Sequence, residues 1–277
     1  MTSEIVIMNK AAIAMAADSA VTFSGHSQEK IFPSAQKLFS LSDQAPVGIM
    51  VYGNATFMEI PWETIIKIFR IRQGSNLHNS LEEYANAFIE FLDGNETLFS
   101  QEIQINVFKQ NLYSYMSYIK SQLAKSIQEV INSNETINED QLKSILSEII
   151  NSQYVEWKEA IIGSGFSKDF DEVIFEKYGE LIDDIISQVF EEFPLDSETF
   201  NKLKQISPWI FYKFPMNVKN SLYSGIVIAG FGEEEIFPSI KSYIIECMVC
   251  NKLKYEIELI SKLPSQLFPT QQETRNI

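Results

Sequence analysis

The segment Gly225-Ile-Val-Ile-Ala-Gly230 constrains this chain more than any other, because it carries no polar side chain. A fully apolar run between glycines reads as a strand buried inside a sheet. After the turn region Gly232 to Pro238, a second apolar stretch from Tyr243 to Val249 completes a buried hairpin. The N-terminal residues offer further strands. Glu4 to Met8 and Ala12 to Ala17 flank a turn at Asn9-Lys10, and Val47 to Tyr52 is an apolar run between Pro46 and Gly53.

Helical spacing starts beyond Pro61, with Trp62, Ile65, Ile66 and Phe69. It resumes at Leu81, Tyr84, Ala85, Phe88 and Leu92 until Asp93-Gly94 stops it. Residues 100–220 read as a mainly helical block, from the repeats Leu112, Tyr115, Met116, Ile119, then Leu142, Ile145, Leu146, Ile149, then Ile182, Ile185, Ile186, Phe190. Interruptions are predicted at Asn132-Ser-Asn134 and Gly163-Ser-Gly165, and endings at Pro194 and Pro208. The order is sheet, helices, sheet: an α+β chain with 1–99 and 221–262 forming the sheet portion, 100–220 a helical insertion and 263–277 a tail. With 277 residues and 31.7 kDa, one large domain or two small ones are expected. No repeat of solenoid period and no long heptad register occurs.

Charge narrows the partners. Lys and Arg number 22 against 37 Asp and Glu, a formal charge of -15, which argues against nucleic acid or an anionic membrane surface. Two cysteines and two histidines leave no metal site built mainly from thiolates, and no cofactor is expected. Cys247 and Cys250 read as ordinary core or strand cysteines. The apolar run from Ala11 to Ala17 lacks a basic flank and is closed by Asp18, so neither a signal peptide nor a spanning helix is expected, and the cytoplasm is favoured. No phosphate-binding glycine loop is present. Glu233, Glu234 and Glu235 read as a solvated turn, and Glu82-Glu83 as a polar helix face.

The chemistry of the first residues is distinctive. If Met1 is removed, Thr2 carries a hydroxyl nucleophile together with an α-amine whose ordinary pKa is about 7.7–8.0, so the base arrives with the nucleophile. A nearby Lys ammonium would keep that amine neutral, and an Asp carboxylate could hold the Lys.

Four pieces carry a resemblance: Thr2 before a strand, Ala16-Ala-Asp-Ser-Ala-Val-Thr22, Lys37-Leu-Phe-Ser-Leu41, and Val47-Gly-Ile-Met-Val-Tyr-Gly53 followed by a helix. Together they resemble the opening of the proteasome family, its β-type subunits and the simpler bacterial proteasome-like peptidase within the N-terminal-nucleophile (Ntn) hydrolases. Gly225 to Gly230 with Phe231-Gly232 is similar to a later strand and turn of that fold. The resemblance implies a four-layer α/β/β/α sandwich and a threonine protease. In it Thr2 is the nucleophile, Asp18 the carboxylate that orients the lysine, and Lys37 the ammonium beside the threonine, with Lys30 in Lys30-Ile-Phe as its rival. It further implies that Ser19 and Thr22 line the cleft and that backbone N–H groups at Tyr52 and Gly53 form the oxyanion hole. Tyr52 stands where active subunits have glycine, and its ring narrows the cleft or alters the backbone.

This sequence departs from the family in its long helical block and in the short stretch after the returning strands, where no residue matches the supporting Asp and Ser. Two functions of different class follow. One is an N-terminal threonine amide hydrolase acting on a peptide or protein; the other is a non-catalytic assembly or regulatory module. Either implies a homo-oligomer, and the sequence names no partner unfoldase.

Overall fold

A computed structural model of the chain describes residues 4–18, 21–25, 28–32, 36–132, 138–215, 223–262 and 273–276, with the backbone alone for 21–25, 28–32, 259–262 and 273–276. Eight strands come first: β1 (Glu4–Met8), β2 (Ile13–Ala17), β3 (Val21–Gly25), β4 (Gln28–Phe32), β5 (Leu38–Ser40), β6 (Val47–Gly53), β7 (Thr56–Phe57) and β8 (Ile60–Pro61). Then follow α1 (Trp62–Gln73), α2 (Leu81–Leu92), α3 (Gln101–Asn132), α4 (Glu139–Glu159), β9 (Ile161–Ile162), α5 (Phe170–Val189), α6 (Ser197–Trp209) and β10 (Lys213–Phe214). The chain closes with β11 (Ser224–Gly230), β12 (Ser239–Val249), β13 (Lys252–Lys262) and β14 (Glu273–Asn276). The protein is thus mixed α+β. It divides into two compact units, one built from Met1–Asn95, Ser221–Glu246 and Tyr255–Ile277, the other from Glu96–Asn220 and Cys247–Lys254.

The first unit holds a five-stranded sheet in the order β13-β12-β11-β6-β5. Every residue of β11 is buried, as its apolar run requires, because both of its faces are covered. Ser224 faces α1, where its Oγ accepts from Trp62 Nε1 at 2.9 Å. Trp62, Ile65, Ile66 and Phe69 of α1 pack with Tyr84, Phe88 and Phe91 of α2 on that side, ring against ring. On the opposite face Val227 and Ala229 join Met50, Ile240 and Val6 in a core that Met8, Ile13 and Met15 border. Those last residues belong to a three-stranded sheet in the order β14-β1-β2, so sheet packs on sheet. Its other face presents Ile5 and Ile7, 40% and 48% exposed.

The β1–β2 turn falls where Asn9 predicts it. Asn9 Oδ1 accepts from the N–H groups of Ala11 and Ala12 at 2.8 and 2.9 Å, an Asx turn that closes the hairpin. Residues 273–276 form an edge strand of the small sheet, paired with β1 in the register Val6 to Arg275. Two expectations need correction. Pro208 does not end its helix; it sits in the last turn of α6, which runs to Trp209. Glu235 is not a solvated charge. Its Oε2 accepts from Leu81 N and Gly232 N at 2.7 and 2.8 Å, which places a carboxylate at the N-terminus of α2. The apolar hairpin is also longer than its Tyr243–Val249 core suggests, and the β3–β4 pair carries no strong alternation that announces it.

In the second unit α3, α4, α5 and α6 pack together, and Phe108 stacks between Tyr178 and Phe211 with centroids 4.3 and 4.2 Å away. The predicted break near residue 134 falls outside the described residues. Asn138 caps α4 with a reciprocal hydrogen bond to Gln141, and the Gly163–Gly165 interruption separates α4 from α5 as expected.

Candidate functional site

Of the residues the sequence singles out, Thr2 and Ser19 lie outside the described residues, as does the side chain of Thr22, whose backbone sits in β3 opposite Ile31. Asp18, Lys37, Tyr52 and Gly53 are described. Asp18 follows directly on β2 and is exposed; Lys37 directly precedes β5 and is half-buried. The charges of both bear on a third residue, Glu4.

Strand register sets where each of them lies. Glu4 pairs with Ala17 across the β1–β2 ladder, so the first residue of β1 lies beside the end of β2 and next to Asp18. Val51 donates its N–H to the Lys37 carbonyl at 2.9 Å, which brings Lys37 to the Tyr52 end of β6. Glu4 alternates with Val6 and Met8, both in the packing between the sheets, and is itself 6% exposed. Its Oε1 is buried without a hydrogen-bond partner. Burial pushes the Glu4 carboxyl above its ordinary range; the Lys37 ammonium works against this and the Asp18 carboxylate adds to it. Sequence reasoning missed Glu4, although a signal was present: a lone acid at the inward-facing parity of Glu4-Ile-Val-Ile-Met8. Lys30 lies on β4 opposite Phe23, with its backbone alone described.

Tyr52 closes the inner face of the large sheet near this end. A Cβ on Gly225 would stand 1.9 Å from the Tyr52 ring, so the ring lies flat across the glycine, a packing only that residue permits. The Tyr52 hydroxyl donates to Glu258 Oε2 at 2.9 Å, and Ser242 Oγ donates to the same oxygen at 3.1 Å. Burial, and next the Glu258 carboxylate, push the Tyr52 hydroxyl well above its ordinary pKa, so it stays a donor. The backbone N–H groups here are not equivalent. Because Val51 donates toward β5, alternation turns the Tyr52 N–H toward β11 and the Gly53 N–H back to the β5 side. Gly53 has φ +75, and a Cβ there would come within 2.7 Å of the Tyr223 carbonyl, so glycine is required.

Among the described residues, no group of three or more His, Cys, Asp or Glu is placed to hold a metal ion, and no helix is long and apolar enough to cross a membrane. Cys247 is buried in β12, and Cys250 occupies a turn where burial raises its thiol pKa. No family model matches the chain, and no curated protein matches it.

Proposed function

We propose that this protein is an N-terminal threonine amide hydrolase with an Ntn-type sandwich, in which Thr2 acts after loss of Met1. One observation carries the reading: Glu4, two residues beyond Thr2, pairs with Ala17 beside Asp18, and Lys37 enters the large sheet opposite Val51, next to Tyr52 and Gly53. In this mechanism Thr2 Oγ attacks an amide carbonyl while its α-amine takes the hydroxyl proton. The amine then passes that proton to the leaving nitrogen, which breaks the C–N bond and leaves an ester on Thr2, and water resolves the ester. Lys37 keeps the amine neutral, and Asp18 orients Lys37. Of the two backbone groups proposed for the oxyanion, the Gly53 N–H is the better donor, since that of Tyr52 is directed into the β6–β11 ladder. The packing of α1 and α2 on one face of the large sheet and of the small sheet on the other supports this reading. A peptide or protein substrate, a homo-oligomer and a cytoplasmic setting belong to the same proposal. The test is peptide cleavage by protein with a mature Thr2 start against its Thr2→Ala variant: loss of cleavage in the variant supports the reading, and equal rates overturn it.

A second reading, a non-catalytic assembly or regulatory module, is favoured by Tyr52. Its ring, held by Glu258, occupies the face over Gly225 where a cleft would open. Retention of Met1 in the working protein would select this alternative, because the base would then sit on the wrong residue.

A further inference from the structure

The last turns of α1 and α2 enclose a cavity of about 330 Å³, lined from α1 by Phe69, Arg72 and Gln73 and from α2 by Ala87, Glu90 and Phe91. Helical spacing builds it, since residues three or four apart share a face. Its apolar floor is fixed: Phe69 and Phe91 are buried, with their rings edge to face at 5.3 Å. Gln73 is held as well, since its Nε2 donates to the Asn76 carbonyl at 3.3 Å and lies 2.6 Å from His78 Nε2. The two charges of the lining are different. Arg72 and Glu90 are both exposed, and the Arg72 guanidinium lies over the Phe91 ring, 5.8 Å from its centroid. Among the described residues neither makes an ion pair or a hydrogen bond through its charged group, whereas Arg70 on the same helix has Asp43 at 3.4 Å. No residue three or four positions from either carries the opposite charge.

We propose that this cavity binds a small zwitterion with an apolar side chain, a free α-amino acid, with its carboxylate on Arg72, its ammonium on Glu90 and its side chain against Phe69, Ala87 and Phe91. Opposite charges that line one small cavity without pairing are matched by a ligand that carries both. The guanidinium offers a carboxylate a planar fork of donors, and its position over Phe91 limits the freedom it loses on binding. The volume lies at the small end of ligand cavities, roughly 300–1,000 Å³, and suits one residue more than a length of chain. The terminal residue of a peptide carries only one of the two charges, so the pair together selects the free amino acid. No residue of the proposed reaction takes part, and the inference does not rest on the hydrolase reading.

Nitrogen-15 NMR of the full chain, titrated with L-phenylalanine, N-acetyl-L-phenylalanine and L-phenylalaninamide, tests each charge separately. L-phenylalanine should shift the backbone amides of residues 69–76 and 87–91 saturably, with a Kd below about 1 mM. The acetyl derivative lacks the ammonium and the amide lacks the carboxylate, so each should bind about tenfold more weakly. Two variants then assign the partners. Arg72→Met keeps the apolar stem over Phe91 and removes the charge; it should weaken L-phenylalanine about tenfold and leave L-phenylalaninamide unchanged. Glu90→Gln should weaken L-phenylalanine by a similar factor and leave N-acetyl-L-phenylalanine unchanged. Both positions are exposed, so both variants should fold as wild type does, and their spectra report this directly. No shift at those amides up to about 10 mM ligand, equal affinity for the three ligands, or equal weakening of all three by either variant overturns the proposal.

Discussion

Lys213 and Lys254 show how backbone carbonyls and aromatic rings help to hold a buried ammonium. Lys213, 8% exposed, donates from Nζ to the carbonyls of Trp157 and Lys158 at 3.2 and 3.3 Å, beneath the Trp209 ring at 4.2 Å. Lys254, 1% exposed, donates to the Ile210 carbonyl at 2.9 Å beside the Phe214 ring. Those carbonyls lie at the C-terminal ends of α4 and α6, where the helix dipole favours a cation. Desolvation depresses the Lys213 pKa. A folded pKa below the unfolded one means the unfolded state binds more protons, so this residue's contribution grows as pH rises from the depressed value toward about 10.5. Lys213→Met should cost about 1–3 kcal/mol at pH 7, and the gap to wild type should widen toward pH 10 in urea denaturation. Glu4 has the opposite sign. Its folded pKa is raised, so its contribution is full below the unfolded value and lost as pH rises through the folded one. Glu4→Gln should therefore melt higher than wild type at pH 8 and together with it at pH 4; a lower melting temperature at pH 8 would contradict the burial argument. Both residues were visible as lone charges in apolar runs, Trp209-Ile-Phe-Tyr-Lys-Phe214 and Glu4-Ile-Val-Ile-Met8. A period-based reading treats such residues as edges of the run, not as part of its buried face.

The hairpin of β12 and β13 turns on Cys250 and Asn251, both with positive φ, 48° and 61°, the pair of angles a tight two-residue turn demands. Asn is common there and Cys is not, so the sequence located the first strand without its turn. The turn is fastened by side chains. Asn251 Oδ1 accepts from Gln101 and Gln104 at 2.8 and 2.7 Å, and its N–H donates to Gln104 Oε1 at 3.0 Å. Gln104 is fully buried in α3, so Gln104→Leu would strand these groups. A loss of about 2–4 kcal/mol is expected in chemical denaturation, well above that of an ordinary surface substitution. Helix α2 carries a comparable long-range cap in Glu235, which also accepts from Ser239 Oγ at 3.2 Å. Three consecutive glutamates look solvated in sequence because nothing local shows which of them folds back onto a helix end 154 positions away. Strand and helix cores were legible from periodicity; caps and turns set by distant residues were not.

The order sheet, helices, sheet was legible because composition changes at each boundary. The sharing of the β12–β13 tip was not, because Cys247–Lys254 belongs with Glu96–Asn220 although the rest of its strands belong to the sheet unit. Two units with separate cores predict separable stability. Phe108→Ala, which removes the ring between Tyr178 and Phe211, should cost about 3–5 kcal/mol. In calorimetry it should lower one transition while the Glu4 carboxyl titrates unchanged; a shift of that titration would show Glu4 to depend on the helical unit. Asp18 and Lys37 were singled out by the proteasome-like pieces of the sequence, whereas Glu4 emerged only from strand register and burial. The central claim depends on the residue that begins the working protein. Intact mass and N-terminal sequence of the protein isolated from its native cell, before and after an electrophilic amide-mimic probe, test it most directly. The account predicts a chain that starts at Thr2 and gains the mass of one probe at that residue; a chain that starts at Met1 and remains unmodified would contradict it.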